Sequence, residues 1–170
     1  MKRFRFARGR ALLGVVLAAT AACARYNPDP FPPPVSSGVL MAVGPGRTWN
    51  AVIAFVDARS LPVVEADASM GSIVTYWIDF FPGEIEPGTM ADCESPVGDA
   101  VSPVRARFEF VVSPRGSRAT MRVRSQWQRA ATDHEMEGTR VIAGYVNCVS
   151  TGKWEKEAET YIRRLTGELG

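Results

Sequence analysis

Residues 105 to 128 alternate apolar and polar side chains on either side of Pro114-Arg115-Gly116. Successive side chains of a strand point to opposite faces, so this pattern predicts two half-buried strands, Arg105 to Ser113 and Ser117 to Gln128, joined as a hairpin. Ala106, Phe108, Phe110 and Val112 share one face with Ala119, Met121, Val123 and Trp127 of the return strand. Arg105, Arg107, Glu109, Arg118, Thr120, Arg122, Arg124 and Gln126 fall on the other. A sheet with one apolar face must bury that face under a second layer.

Two segments qualify as that layer. Between Arg47 and Arg59, Trp49, Val52, Ile53 and Val56 recur at helical spacing, and between Gly152 and Gly167 so do Trp154, Ala158, Tyr161, Ile162 and Leu165. Ser37 to Val43, Leu61 to Asp67, Ser72 to Phe80 and Thr139 to Asn147 read as further strands. Phe81 to Pro103 holds four prolines and three glycines and reads as a long irregular loop. The expected fold is α+β, with an antiparallel sheet of about five to six strands and both helices packed on one face in a two-layer arrangement.

The first 22 residues read as a secretory signal. Five basic residues within Met1 to Arg10 precede the apolar run Ala11 to Ala19, and Thr20-Ala21-Ala22 leads to Cys23. The apolar run is far shorter than the roughly 20 residues needed to cross a hydrocarbon core. Small residues directly before a cysteine resemble the bacterial lipobox, in which Cys23 becomes the acylated N-terminus, with palmitate as the typical chain. Two or three such chains hold a protein firmly at a membrane. Ala24, rather than Asp, favours the outer membrane by the sorting rule of enteric bacteria. Read instead as a small-x-small cleavage site, Ala22-Cys23-Ala24 would lose the cysteine and yield a soluble periplasmic protein. Residues 23–36 hold five of the twelve prolines and form a spacer, either a semi-rigid polyproline strut or a plain leader. A single domain over 37–170 follows.

Removal of the signal reverses the charge. The whole chain carries +2, but the 15 of 20 basic residues left after position 22 face all 18 acidic ones, a balance of −3. An acidic domain is a poor general binder of nucleic acid, so none is expected as partner. With Cys23 taken by lipid, Cys93 and Cys148 remain as an even pair in an oxidising compartment, and the expectation is a disulfide.

A Trp early in the first helix, Gly71-Ser-Ile-Val-Thr-Tyr-Trp77, the paired cysteines and Cys148-Val-Ser-Thr-Gly-Lys-Trp-Glu155 together resemble the small helix-grip lipoproteins. Among these are the domains of the BamC (NlpB) family of accessory lipoproteins of the outer-membrane β-barrel assembly machine. The resemblance spans about 36–165 and implies a helix-grip fold and a role as an accessory to envelope assembly.

Arg105, Arg107, Arg118, Arg122 and Arg124 on one sheet face are candidates for holding an anionic partner, namely lipid head groups, lipopolysaccharide phosphates or an acidic partner, because guanidinium grips carboxylate and phosphate through paired donors. The competing reading is a solvated outer face, with Glu109 neutralising part of it. The loop from 82 to 99 carries Glu84, Glu86, Asp92, Glu94 and Asp99 with no basic residue. It lacks calcium-loop spacing and reads as solvated or as paired with the arginines. The sole histidine, His134, falls in a polar connection, and no nucleophile elbow, phosphate loop or zinc motif is present. The expectation is therefore a non-enzymatic protein with no cofactor and no metal, tethered by its lipid to the periplasmic face of the outer membrane and binding an envelope protein or component. The alternative is a carrier of a small ligand or lipid, with Tyr76, Trp77, Phe80, Phe108, Phe110 and Trp127 lining its cavity.

Overall fold

The computed structural model describes residues 38–80, 84, 89–93, 102–136 and 139–169, with the backbone alone for 132–136 and 139–141. The signal segment, Cys23 and the proline-rich spacer lie outside the described residues. The elements are β1 (Val39–Met41), α1 (Pro45–Ala58), β2 (Val63–Asp67), β3 (Ser72–Thr75), β4 (Ile78–Phe80), β5 (Ala91–Asp92), β6 (Val104–Arg115), β7 (Arg118–Met136), β8 (Thr139–Ser150) and α2 (Lys153–Leu165). The fold is α+β, with an antiparallel sheet ordered β2-β3-β6-β7-β8-β5. β4 continues the β3 side of β6, and β1 shares with β8 the far edge of β7.

The sheet has eight strands among the described residues, more than the five to six expected. One addition is β5, which pairs with β8 inside the stretch read as irregular loop. The other arises because Ser72 to Phe80 does not form one strand. Ile73 sits opposite Phe110, but Ile78 sits opposite Ala106, so one extra residue is accommodated at Tyr76-Trp77. Such a bulge reverses the in-out phase. Ile73 and Thr75 before it and Ile78 and Phe80 after it all face the core, whereas unbroken alternation would send one pair outward. The Thr75 hydroxyl bridges the break by accepting the Phe108 N–H at 2.9 Å.

The hairpin is longer and tighter than read. Its strands run through Arg115 and Arg118, leaving a two-residue turn at Gly116-Ser117. β7 then continues to Met136 and pairs with β8, so His134 lies in a strand and not in a connection. Its side chain lies outside the described residues.

Both helices lie on the face formed by Phe108 and Phe110. Phe55 of α1 meets Phe110 edge-on at 5.7 Å, and Trp154 of α2 stacks on Phe108 at 3.5 Å. Phe55 also touches Trp154 and Tyr161. The buried face of α1 is therefore Thr48, Ala51, Val52, Phe55 and Val56, rotated toward α2 from the expected Trp49-Val52-Ile53-Val56 stripe. In α2, Glu155, Ala158 and Ile162 are buried, while Leu165, read as core, is exposed. Cys93 and Cys148 form a disulfide that joins β8 to the residue following β5. Tying positions 55 apart stabilises by about 4 kcal/mol on the loop-entropy model.

Candidate functional site

The sheet face turned away from the helices is a knit layer. Arg105 donates from Nε and Nη2 to Gln128 Oε1 at 2.9 and 2.7 Å. Its guanidinium carbon lies 3.3 Å from the Tyr145 ring centre and 4.4 Å from that of Trp77. Arg107 donates to Gln126 Oε1 at 2.9 Å and also approaches Trp77, at 5.0 Å. Arg124 pairs with Glu109 at 2.9 Å, both side chains mostly covered. Gln128 passes the network on to Asn147 of β8 at 2.8 Å. The bulge makes this possible, because it is what sends Trp77 to the outer face.

Of the five predicted arginines, Arg105, Arg107 and Arg124 are thus held by neighbours within the face. Arg122 is half-buried beside them, and Arg118 is exposed at the hairpin turn opposite Arg115. Planar guanidinium groups gripped by amides and rings are preorganised but spend donors internally. From the acidic loop, Asp92 lies in β5 and Glu84 is exposed, whereas Glu86, Glu94 and Asp99 lie outside the described residues.

The six aromatics proposed to line a cavity do not share one. Phe108, Phe110 and Trp127 are fully buried and pack against one another's neighbours, with Phe80 against Trp127. Tyr76 is exposed and Trp77 lies on the opposite face of the sheet.

The β7–β8 pair projects past the end of β6, whose last partner on β7 is Arg129. Past Ala130, whose N–H still reaches the Pro103 carbonyl, the pair is two-stranded among the described residues, and among these β8 has no neighbour on its other edge except β5 at Val149 and Ser150. Ile142, Tyr145, Val146 and Val149 are all exposed, Val149 by 72%. By register Ile142, Tyr145 and Val149 lie on the outer face, continuous with Arg105 and Trp77.

No protein-family model matches this chain. No curated protein matches it either.

A buried polar cluster also escaped the sequence reading. Glu155 is 5% exposed, and its Oε1 accepts from the Ser125 hydroxyl at 2.5 Å and the Ser150 hydroxyl at 2.7 Å. Ser125 Oγ accepts the Trp127 indole N–H at 2.7 Å, and Ser150 Oγ accepts the Gly152 N–H at 3.1 Å. The cluster pins the start of α2 to β7 and β8 beside the disulfide, since Trp127 lies opposite Cys148. One signal was available: Ser125 is the single polar residue in the inward phase Ala119, Met121, Val123, Ser125, Trp127.

Proposed function

We propose that this chain is a non-enzymatic binding module of the bacterial envelope. On this reading Cys23 carries the lipid that anchors it to the periplasmic face of the outer membrane, and the proline-rich residues before Val39 space the domain from the bilayer. The helix-grip, BamC-like resemblance then assigns it to the accessory lipoproteins of envelope assembly. The observation that carries the binding role is the β8 edge. Backbone groups along an edge strand that has no neighbour but β5 among the described residues, flanked by exposed Ile142, Tyr145 and Val149, suit an extended segment of a partner protein that adds on as a further strand. Trp77 and Arg105 next to it offer rigid aromatic and cationic contacts of the kind that dominate binding energy.

A photo-crosslinking residue at Val149 in intact cells, with mass analysis of the start of the chain, tests this. The expected result is a discrete crosslinked envelope protein, lost on Ile142→Asp, together with an acylated Cys23. An unprocessed N-terminus, or crosslinks that Ile142→Asp leaves unchanged, overturns the reading. A lipid co-purifying in native mass spectrometry favours the carrier alternative.

A further inference from the structure

The helix side of the domain carries a second charged region, unrelated to the arginine face. Arg59 after α1 and Lys153, Lys156 and Arg164 of α2 line one groove of about 440 Å³, with Thr160 and Tyr161 on its wall. Four cations meet a single carboxylate there, Glu157. Their surroundings differ from those of the sheet-face arginines. Among the described residues, none of the four charged heads has an ion-pair or hydrogen-bond partner. Arg59 is instead steadied by the rings of Tyr161 and Phe55, at 5.7 and 5.9 Å, which leaves its donors uncommitted.

Arg164, in the last turn, suits the helix dipole, but helix stability does not explain the two lysines. Lys153 opens α2 and Lys156 lies one turn in, where the helix end is already positive and the N-cap, Gly152, has no side chain; only the Thr151 hydroxyl reaches the Lys153 N–H, at 3.4 Å. Cations at that end are unfavourable, and carboxylates would suit it better. The one acid of the first turn, Glu155, points away into the core toward Ser125 and Ser150. A concave site with four cations to one carboxylate among its lining residues matches a compact polyanion, whose charge offsets both the lysines and the helix end.

We infer that the groove between Arg59 and the Lys153-Lys156-Arg164 side of α2 is a binding site for a phosphorylated small molecule. Phosphate oxygens take the two lysines and the start of α2, while Arg59 and Arg164 close the far side. The source is either a soluble phosphoester or the head group of an anionic phospholipid, and the chemistry recognised is the same. This site does not depend on the β8 edge or on lipidation.

Titration calorimetry of the full chain with inorganic pyrophosphate is the test, run beside flotation with phosphatidylcholine vesicles with and without phosphatidylglycerol. The expected result is saturable, salt-sensitive binding of about one pyrophosphate. The double variant Lys153→Glu/Lys156→Gln is expected to weaken it by about tenfold or more while leaving the melting temperature unchanged or higher, because a carboxylate suits that helix end. Arg164→Gln serves as an independent variant at the exposed far end. Pyrophosphate binding without a vesicle preference points to a soluble phosphoester, and binding of both that responds to the variants points to a head group. No saturable pyrophosphate binding, vesicle binding alone, or equal affinity in both variants overturns the inference.

Discussion

The indole of Trp154 lies flat on the ring of Phe108, centroids 3.5 Å apart and planes 11° from parallel. One contact thereby fastens the first turn of α2 to the centre of β6, and Phe55 of α1 touches the same indole. Phe108→Ala empties a fully buried site and is expected to cost about 3–5 kcal/mol in denaturant unfolding. A double-mutant cycle with Trp154→Ala is expected to show about 0.5–1.5 kcal/mol of coupling. Additive losses would mean that the stack contributes nothing beyond burial.

Ser125 and Glu155 stand or fall together. Ser125→Ala removes one of two hydroxyls donating to a buried carboxyl oxygen and strips the Trp127 N–H of its acceptor. A loss of about 1–3 kcal/mol is expected, read from the urea midpoint. Combined with Glu155→Gln, the second substitution is expected to cost less than it does alone. A Ser125→Ala midpoint equal to the parent's would refute the network's contribution.

Gly71 and Gly116 share nearly the same backbone, with φ of +65° and +63°. Their surroundings separate them. A Cβ at Gly71 would lie 2.1 Å from the Val112 carbonyl oxygen, whereas at Gly116 nothing lies within 4 Å. Gly116→Ala is expected to cost only the left-handed backbone term, about 1–2 kcal/mol. Gly71→Ala must also push β3 away from β6, breaking the bond from Val112 N–H to Gly71 C=O, and is expected to lower the melting temperature far more. Equal melting temperatures for the two variants would contradict this.

Asp67 gives a pH signature. Its carboxyl is held below the ordinary 3.8 by the Ser69 hydroxyl first, then by the Met70 and Ser69 N–H groups. Because folding favours the carboxylate, its contribution is present above 3.8 and is lost as pH falls through the lower folded value. The melting temperatures of the parent and Asp67→Ala are expected to differ most near neutrality and to converge in acid. A gap that is constant with pH would remove the carboxylate from the explanation.

The hairpin faces were readable because alternation is a local property. Ala106, Phe108, Phe110 and Val112 are all buried, and the arginines all lie on the other side. The Cys93–Cys148 pairing is legible because reading Cys23 as the lipid site leaves these two as the one possible pair. Phe55 was missed because a periodic stripe shows only that one side of a helix is apolar, and the position of α2 rotated the buried side. The run from Ile73 to Phe80 contains two apolar phases that compete on paper, and pairing with β6 resolves them through the bulge.

The α+β class, the order of the principal helices and strands and the chemistry of each sheet face are legible in the residues alone, since these depend on periods of two and 3.6 residues within short windows. Contacts between distant segments settle the rest: Arg105, Arg107 and Arg124 are held by Gln128, Gln126 and Glu109, Glu155 is buried, β8 has no outer neighbour but β5 among the described residues, and Arg59 joins three α2 cations in one groove. Each of these depends on which distant segments meet, and no local pattern encodes the distance between residue 59 and residue 164.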